Sequence, residues 1–161
     1  MLHWFQENTV VEPRKTLGRN DRIIALPWGN EDTQQLIDIL GKYDIKATFF
    51  VVGEWVDKYP ESVKALHEAG HEIMNHSNTH AHYPQLSAQE VVADLNACND
   101  KIETITGVRP TLIRCPYGEY DDHVIAAIRS IGMEPIQWDV ELYETDESRC
   151  GAIPAFDKYH W

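Results

Sequence analysis

Between Arg22 and Val140, apolar runs of strand length alternate with segments of helical period, and a turn residue marks most boundaries. "RIIAL", "KATFFVVG", "HEIMNH", "TLIRCPYG" and "EPIQWDV" read as five strands. Between them lie four helical patterns. In "DTQQLIDILGKYD", Asp32 is the expected N-cap, Leu36, Ile37 and Leu40 share a face, and Gly41 is the expected stop. In "YPESVKALHEAG", Pro60 suits the first turn, Val63 and Leu66 face inward, and Gly70 sits where a left-handed cap is needed. "SAQEVVADLNACNDKIETITG" opens with a Ser87/Glu90 capping box and repeats Val91, Leu95, Cys98, Ile102 and Ile105 at a period of about 3.5 residues up to Gly107. "YDDHVIAAIRSIG" is a helix capped by Asp121 or Asp122. Strands and helices alternating in this way join by right-handed crossovers into a parallel sheet, open or rolled into a barrel.

The pattern thins at both ends. Residues 1–21 and 141–161 show no sustained period and read as irregular segments flanking one domain over 22–140. A chain of 161 residues is long enough for one such domain with its own core. With 14 Lys and Arg against 26 Asp and Glu, the net charge is −12, which offers no field to attract a phosphate backbone, so nucleic acid is not an expected partner. Cys98, Cys115 and Cys150 form no CxxC pair, so neither a disulfide framework nor a thiolate zinc site is expected. No apolar run approaches the ~18 residues of a membrane span. The start "MLHWFQENTVVEPRK" lacks the order of a secretory signal, so the chain as written reads as cytoplasmic.

Chemistry in parallel α/β folds gathers at the carboxyl ends of the strands. Three polar clusters fall there. His76 and His80, with a third imidazole at His82, lie just past "HEIM"; Arg114 to Gly118 follow "TLI"; Asp139 follows "IQW". Imidazoles four residues apart bind one divalent ion if the backbone turns both rings inward, a carboxylate completing the shell. They serve equally as turn caps bonded to Asn75, Ser77 and Thr79. "RCPYG" is a turn stiffened by Pro116 and released by Gly118; it either points a backbone N–H at a developing oxyanion while Arg114 orients a carboxylate, or is an ordinary strand-to-helix turn. Asp139 is either a surface acid or the partner of a catalytic histidine.

"KATFFVVG", "GHEIMNHSNTH", "RCPYG" and "WDV", in this order and spacing, resemble the NodB-type polysaccharide deacetylases, carbohydrate esterase family 4. "PWGNEDTQQLIDIL" further resembles the sporulation and YlxY-like branch. The resemblance implies an α/β fold, an imperfect (β/α) barrel, and a divalent metal, usually zinc, used to hydrolyse N-acetyl groups on an acetylated polysaccharide such as peptidoglycan or chitin. It implies metal ligation by His76 and His80; apart from the resemblance, the nearby carboxylates Glu31 and Asp32 are candidates for a further ligand, Asp32 being equally a helix cap. It assigns Arg114 to tethering the catalytic base, the Tyr117 amide to the oxyanion, and Asp139 to orienting a histidine. Trp28, Pro116, Tyr117 and Trp138 become the expected glycan contacts. Because family members mostly work outside the cytoplasm, an extracytoplasmic or cell-wall location is expected if the chain is a piece of an exported protein.

Two family features are missing. Where the family has an Asp-containing motif after the first strand, supplying the general base, this chain runs from Leu26 into Pro27 and Trp28, with Glu31 and Asp32 the nearest carboxylates. The later Leu-x-His motif that supplies the general acid has no counterpart in "ELYETDESRCGAIPAFDKYHW". A positioned acid or base contributes about 10²–10⁴ each, so impaired turnover is expected. The competing expectations are a catalytically silent glycan-binding module, or an unstable fragment with exposed sheet edges.

Overall fold

One interior strand of the sheet, Thr48–Val51, is buried at all four positions, as required of a strand covered on both faces. The computed structural model describes residues 23–26, 30 and 33–137. Within them five strands, β1 (Ile23–Leu26), β2 (Thr48–Val51), β3 (Glu72–Asn75), β4 (Leu112–Ile113) and β5 (Glu134–Pro135), form one sheet in the order β1-β2-β3-β4-β5. Every pairing is parallel. An order that never reverses distinguishes this sheet from a doubly wound one, and it is the arrangement of a (β/α) barrel left incomplete.

The register aligns Leu26 with Val51, Val51 with Asn75, Asn75 with Ile113, and Ile113 with Pro135. One step further along, His76 N donates to Val51 O at 3.0 Å and Arg114 N to Asn75 O at 3.1 Å. This row sets His76 and Arg114 side by side at the carboxyl rim.

The helices are α1 (Thr33–Lys42), α2 (Gly53–Lys58), α3 (Pro60–Glu68), α4 (Ala88–Thr106) and α5 (Asp122–Ser130). In α4 the Ser87/Glu90 capping box forms and Gly107 closes the helix at φ 73°. Its stripe of Val91, Leu95, Cys98 and Ile102 is fully buried, with Ile105 packed at the edge. Asp121, not Asp122, caps α5, accepting from Val124 N at 3.1 Å. Phe49, Val51, Val63, Leu66, Cys98 and Ile102 belong to one apolar layer; Phe50, Leu112 and Ile136 pack together separately, as alternation along β2 requires. Among the described residues no helix is long and apolar enough to cross a membrane.

Two expectations need correction. Gly41 does not stop α1: the helix continues to Lys42, and Asp44 makes the exit at φ 51°, with Ile45 N returning to Leu40 O at 2.9 Å. Helix α2 was not anticipated, because six residues are too few to display a period; it is held by burial of Trp55 and Val56. The proposed Asp32 cap and the segments 1–21 and 141–161 lie outside the described residues.

Candidate metal and active site

After β3 the chain makes a sharp turn, "HSNTH", in which Ser77 (φ 72°) and His80 (φ 56°) adopt left-handed backbone angles. Non-glycine residues pay for that conformation, so it persists only where neighbours impose it. Inside the turn, Ser77 N donates to Asn75 Oδ1 at 2.7 Å and His80 N to Ser77 Oγ at 2.8 Å. Asn75 is itself fully buried, donating to Leu95 O at 3.0 Å and Asn99 Oδ1 at 2.8 Å. From α2, Gly53 N donates to Ser77 O at 2.9 Å, and a Cβ at Gly53 would collide with Asn78, so this close approach demands glycine.

The turn brings the imidazoles of His76 and His80 together, ring centroids 5.0 Å apart and planes at 72°. His76 is buried and its Nδ1 lies 2.8 Å from Arg114 O. A carbonyl only accepts, so Nδ1 carries the proton and Nε2 keeps its lone pair. Burial is the main cause pushing the His76 pKa down to about 4; the Arg114 carbonyl opposes the shift, and His80 and the Arg114 charge reinforce it. His80 is also lowered, first by burial and then by the charge of His82. Both rings are therefore neutral near pH 7, as metal ligation requires. Among the described residues no third His, Cys, Asp or Glu joins them to form a group able to hold an ion. Two neutral imidazoles side by side are donors of the chemical type that divalent ions such as zinc take, and among the described residues they are two donors without a third.

The "RCPYG" turn closes over this pair. Arg114 is buried, its guanidinium 5.2 Å from the Phe50 ring centre. Pro116–Gly118 form a single helical turn with Tyr117 at φ 58°. The exposed Tyr117 ring packs edge-on against His80 at 4.6 Å and stacks on His82 at 4.1 Å, with only 7° between planes. His82 Nδ1 donates to Glu119 Oε2 at 2.7 Å. His76, His80, Arg114, Pro116 and Tyr117 thus lie on two adjoining turns after β3 and β4. Trp28, Asp32, Trp138 and Asp139 lie outside the described residues.

Several contributors were not singled out from the sequence. Asp94 on α4 accepts from Asn78 N at 2.7 Å, Thr79 Oγ1 at 2.8 Å and Tyr83 OH at 2.9 Å. Tyr83 is fully buried, and burial, together with the Asp94 charge, raises its phenol well above the usual value. Asn75, Asn99, Gly53 and Glu119 complete the surround. A signal for two of them existed: Asp94 and Asn99 are polar residues three and four positions from Val91 and Leu95, on the edge of the buried stripe.

The polysaccharide deacetylase family model matches residues 20–136. The chain is 37% identical over 131 residues to the peptidoglycan-N-acetylmuramic acid deacetylase PdaC of Bacillus subtilis, covering 79% of this chain and 27% of that protein. It is 39% identical over 106 residues to chitin deacetylase 1 of Cryptococcus neoformans, covering 66% of this chain and 23% of that one. In structure it resembles a CE4 family pseudoenzyme from Bacillus anthracis, with a TM-score of 0.68 and 32% identity over 73% of this chain and 43% of the other. A mutant of that pseudoenzyme has restored enzymatic activity. The chain spans only about a quarter of the length of each of these two curated relatives. A family match over most of the strands and helices, joined to the paired histidines and the "RCPYG" turn at one rim, means that this chain belongs to the polysaccharide deacetylase family.

Proposed function

We propose that this chain carries a divalent-metal site, with zinc the preferred ion, for removing N-acetyl groups from an amino-sugar polysaccharide of the peptidoglycan or chitin kind, and that its turnover is impaired. The observation that carries this reading is the facing pair His76–His80, with His76 fixed by Arg114 O in the tautomer that leaves Nε2 available. When bound, a divalent ion polarises an acyl oxygen and acidifies water toward a pKa of about 7. His76 and His80 would hold it, and Asp32 is the candidate for a third ligand.

Around the reacting acetyl group, the Tyr117 amide is the donor assigned to the developing oxyanion, in a turn whose backbone is already set at φ 58°. Arg114 and Asp139 are assigned to orienting proton-transfer groups. Impairment follows from the sequence: Leu26 leads into Pro27 and Trp28 without the family's basic Asp.

The deciding experiment is acetate release from acetylated chitooligosaccharide and from peptidoglycan. Slow release that stops with chelator, returns with zinc, and is lost in His76→Ala is the expected result. Absence of release with every divalent ion tried would overturn the enzymatic reading.

Likeness to a pseudoenzyme favours one other reading, a catalytically silent glycan-binding module that uses the exposed Tyr117 together with Trp28 and Trp138, the sequence's other candidate glycan contacts. It requires saturable glycan binding without acetate release.

A further inference from the structure

We propose that Asp94 is a positioning residue for the His76–His80 pair, acting through Asn78, Thr79 and Tyr83 to hold the turn in which the two rings face each other. This proposal rests on the reading that the pair takes a divalent ion.

The turn needs support from outside itself. Its internal bonds, Ser77 N to Asn75 Oδ1 and His80 N to Ser77 Oγ, favour the local bend, while its left-handed residues favour relaxation. Two elements tie it to the scaffold. Helix α2 gives the amides of Gly53 and Glu54 to the carbonyls of Ser77 and Asn78, at 2.9 and 3.1 Å. Helix α4 gives Asp94, whose Oδ1 takes the Thr79 hydroxyl and whose Oδ2 takes both the Asn78 amide and the Tyr83 phenol.

Asn78 and Thr79 lie between the two histidines, and Tyr83 lies just beyond them, so one carboxylate grips the turn on both sides of His80. Three donors suit a carboxylate, which only accepts; an amide of the same shape would offer an NH₂ to one of them. The grip is rigid because α4 is capped at both ends and buried along Val91, Leu95, Cys98 and Ile102. Loss of Asp94 should let the turn relax and move His80 away from His76.

Cobalt(II) serves as the probe, because its visible absorption reports ligand geometry without any turnover. The metal-free full chain is titrated as parent, Asp94→Ala, Asp94→Asn, Thr79→Val, His76→Ala and, as a control in the core of α3, Val63→Ala. The parent is expected to develop a cobalt spectrum and His76→Ala to lose it. Asp94→Ala should weaken affinity about tenfold or more and change the spectrum, with smaller losses in Asp94→Asn and Thr79→Val. Val63→Ala should lower the thermal midpoint while keeping cobalt affinity within about twofold of the parent.

Parent-like affinity and spectrum in both Asp94→Ala and Thr79→Val overturn the proposal while leaving the metal reading intact. An equal loss in Val63→Ala also overturns it, since the effect would then be one of general stability. Should Asp94→Ala fail to fold, Thr79→Val decides, because Thr79 sits at the surface and its hydroxyl touches Asp94 alone of the groups named here. A parent without any cobalt spectrum defeats the metal reading and this proposal together.

Discussion

His76 donates its Nδ1 proton to the carbonyl oxygen of Arg114 at 2.8 Å, a bond between residues 38 apart in the chain and adjacent on the rim. It couples the histidine turn to the "RCPYG" turn. The side chain of one motif is oriented by the backbone of the other, so the tautomer of His76 depends on the pairing of β3 with β4.

Metal addition should stabilise the protein. At a free zinc concentration about 100 times the dissociation constant, the gain is about 2.7 kcal/mol, visible as a rise in thermal midpoint. His76→Ala and His80→Ala should remove that rise, and chelator should reverse it in the parent. A parent midpoint that zinc leaves unmoved would contradict ligation by the pair.

Tyr117→Ala separates the ring from the amide. The exposed ring stacks on His82, whereas the N–H stays in the backbone. Loss of a stacking surface worth about 1 kcal/mol should raise KM for an acetylated oligosaccharide about fivefold. The value of kcat should hold, because the amide proposed as the oxyanion donor remains. A fall in kcat without a change in KM would place the ring in the chemistry instead.

Stability should fall on the acid side through His71. Its Nδ1 accepts from Ala47 N at 3.2 Å, and the ring packs edge-on to Phe49, so the neutral form is the one that fits. Burial first, and Lys46 second, lower its pKa from 6.5. Below 6.5 the unfolded chain therefore binds the proton that the folded chain refuses: the contribution of His71 is full above that pH and declines as pH drops toward the folded value. Urea midpoints measured across this range should show a shallower pH slope in His71→Gln than in the parent.

The two ends of α4 should contribute separately. Ser87→Ala breaks the capping box, at a cost of about 1 kcal/mol. Gly107→Ala forces a side chain to φ 73°, at a cost of about 1–2 kcal/mol. The sites share no partner, so the double variant should lose the sum of the two in urea unfolding.

Cys98 and Cys115 should resist alkylation in the folded state. Both are buried, and burial pushes each thiol up to about 12. Iodoacetamide labelling mapped by mass spectrometry should find them unmodified until denaturant is added. Rapid labelling of either would show that the core opens.

Much of this layout was legible along the chain because it is encoded over short distances. The Ser87/Glu90 box, the buried stripe of α4, the Gly107 cap and the Pro60 start each depend on residues no more than four apart, as do helical and strand periods. The Gly41 stop failed for a related reason: glycine permits an exit without requiring one, and the turn was made at Asp44, where Leu40 O could receive Ile45 N. Helix α2 escaped because a single turn and a half shows no repeat.

From the sequence alone came the alternating α/β pattern, the family motifs, and the residues His76, His80, Arg114 and Tyr117 as candidates sharing a rim. Tertiary structure alone decided that the two imidazoles face each other, that Arg114 O selects the His76 tautomer, and that Asp94 grips the turn from a helix 16 residues downstream. The physical reason is the range of the interactions. Period and capping are settled by near neighbours, whereas a hydrogen bond between distant residues exists only after sheet register and helix packing have brought donor and acceptor within about 3 Å.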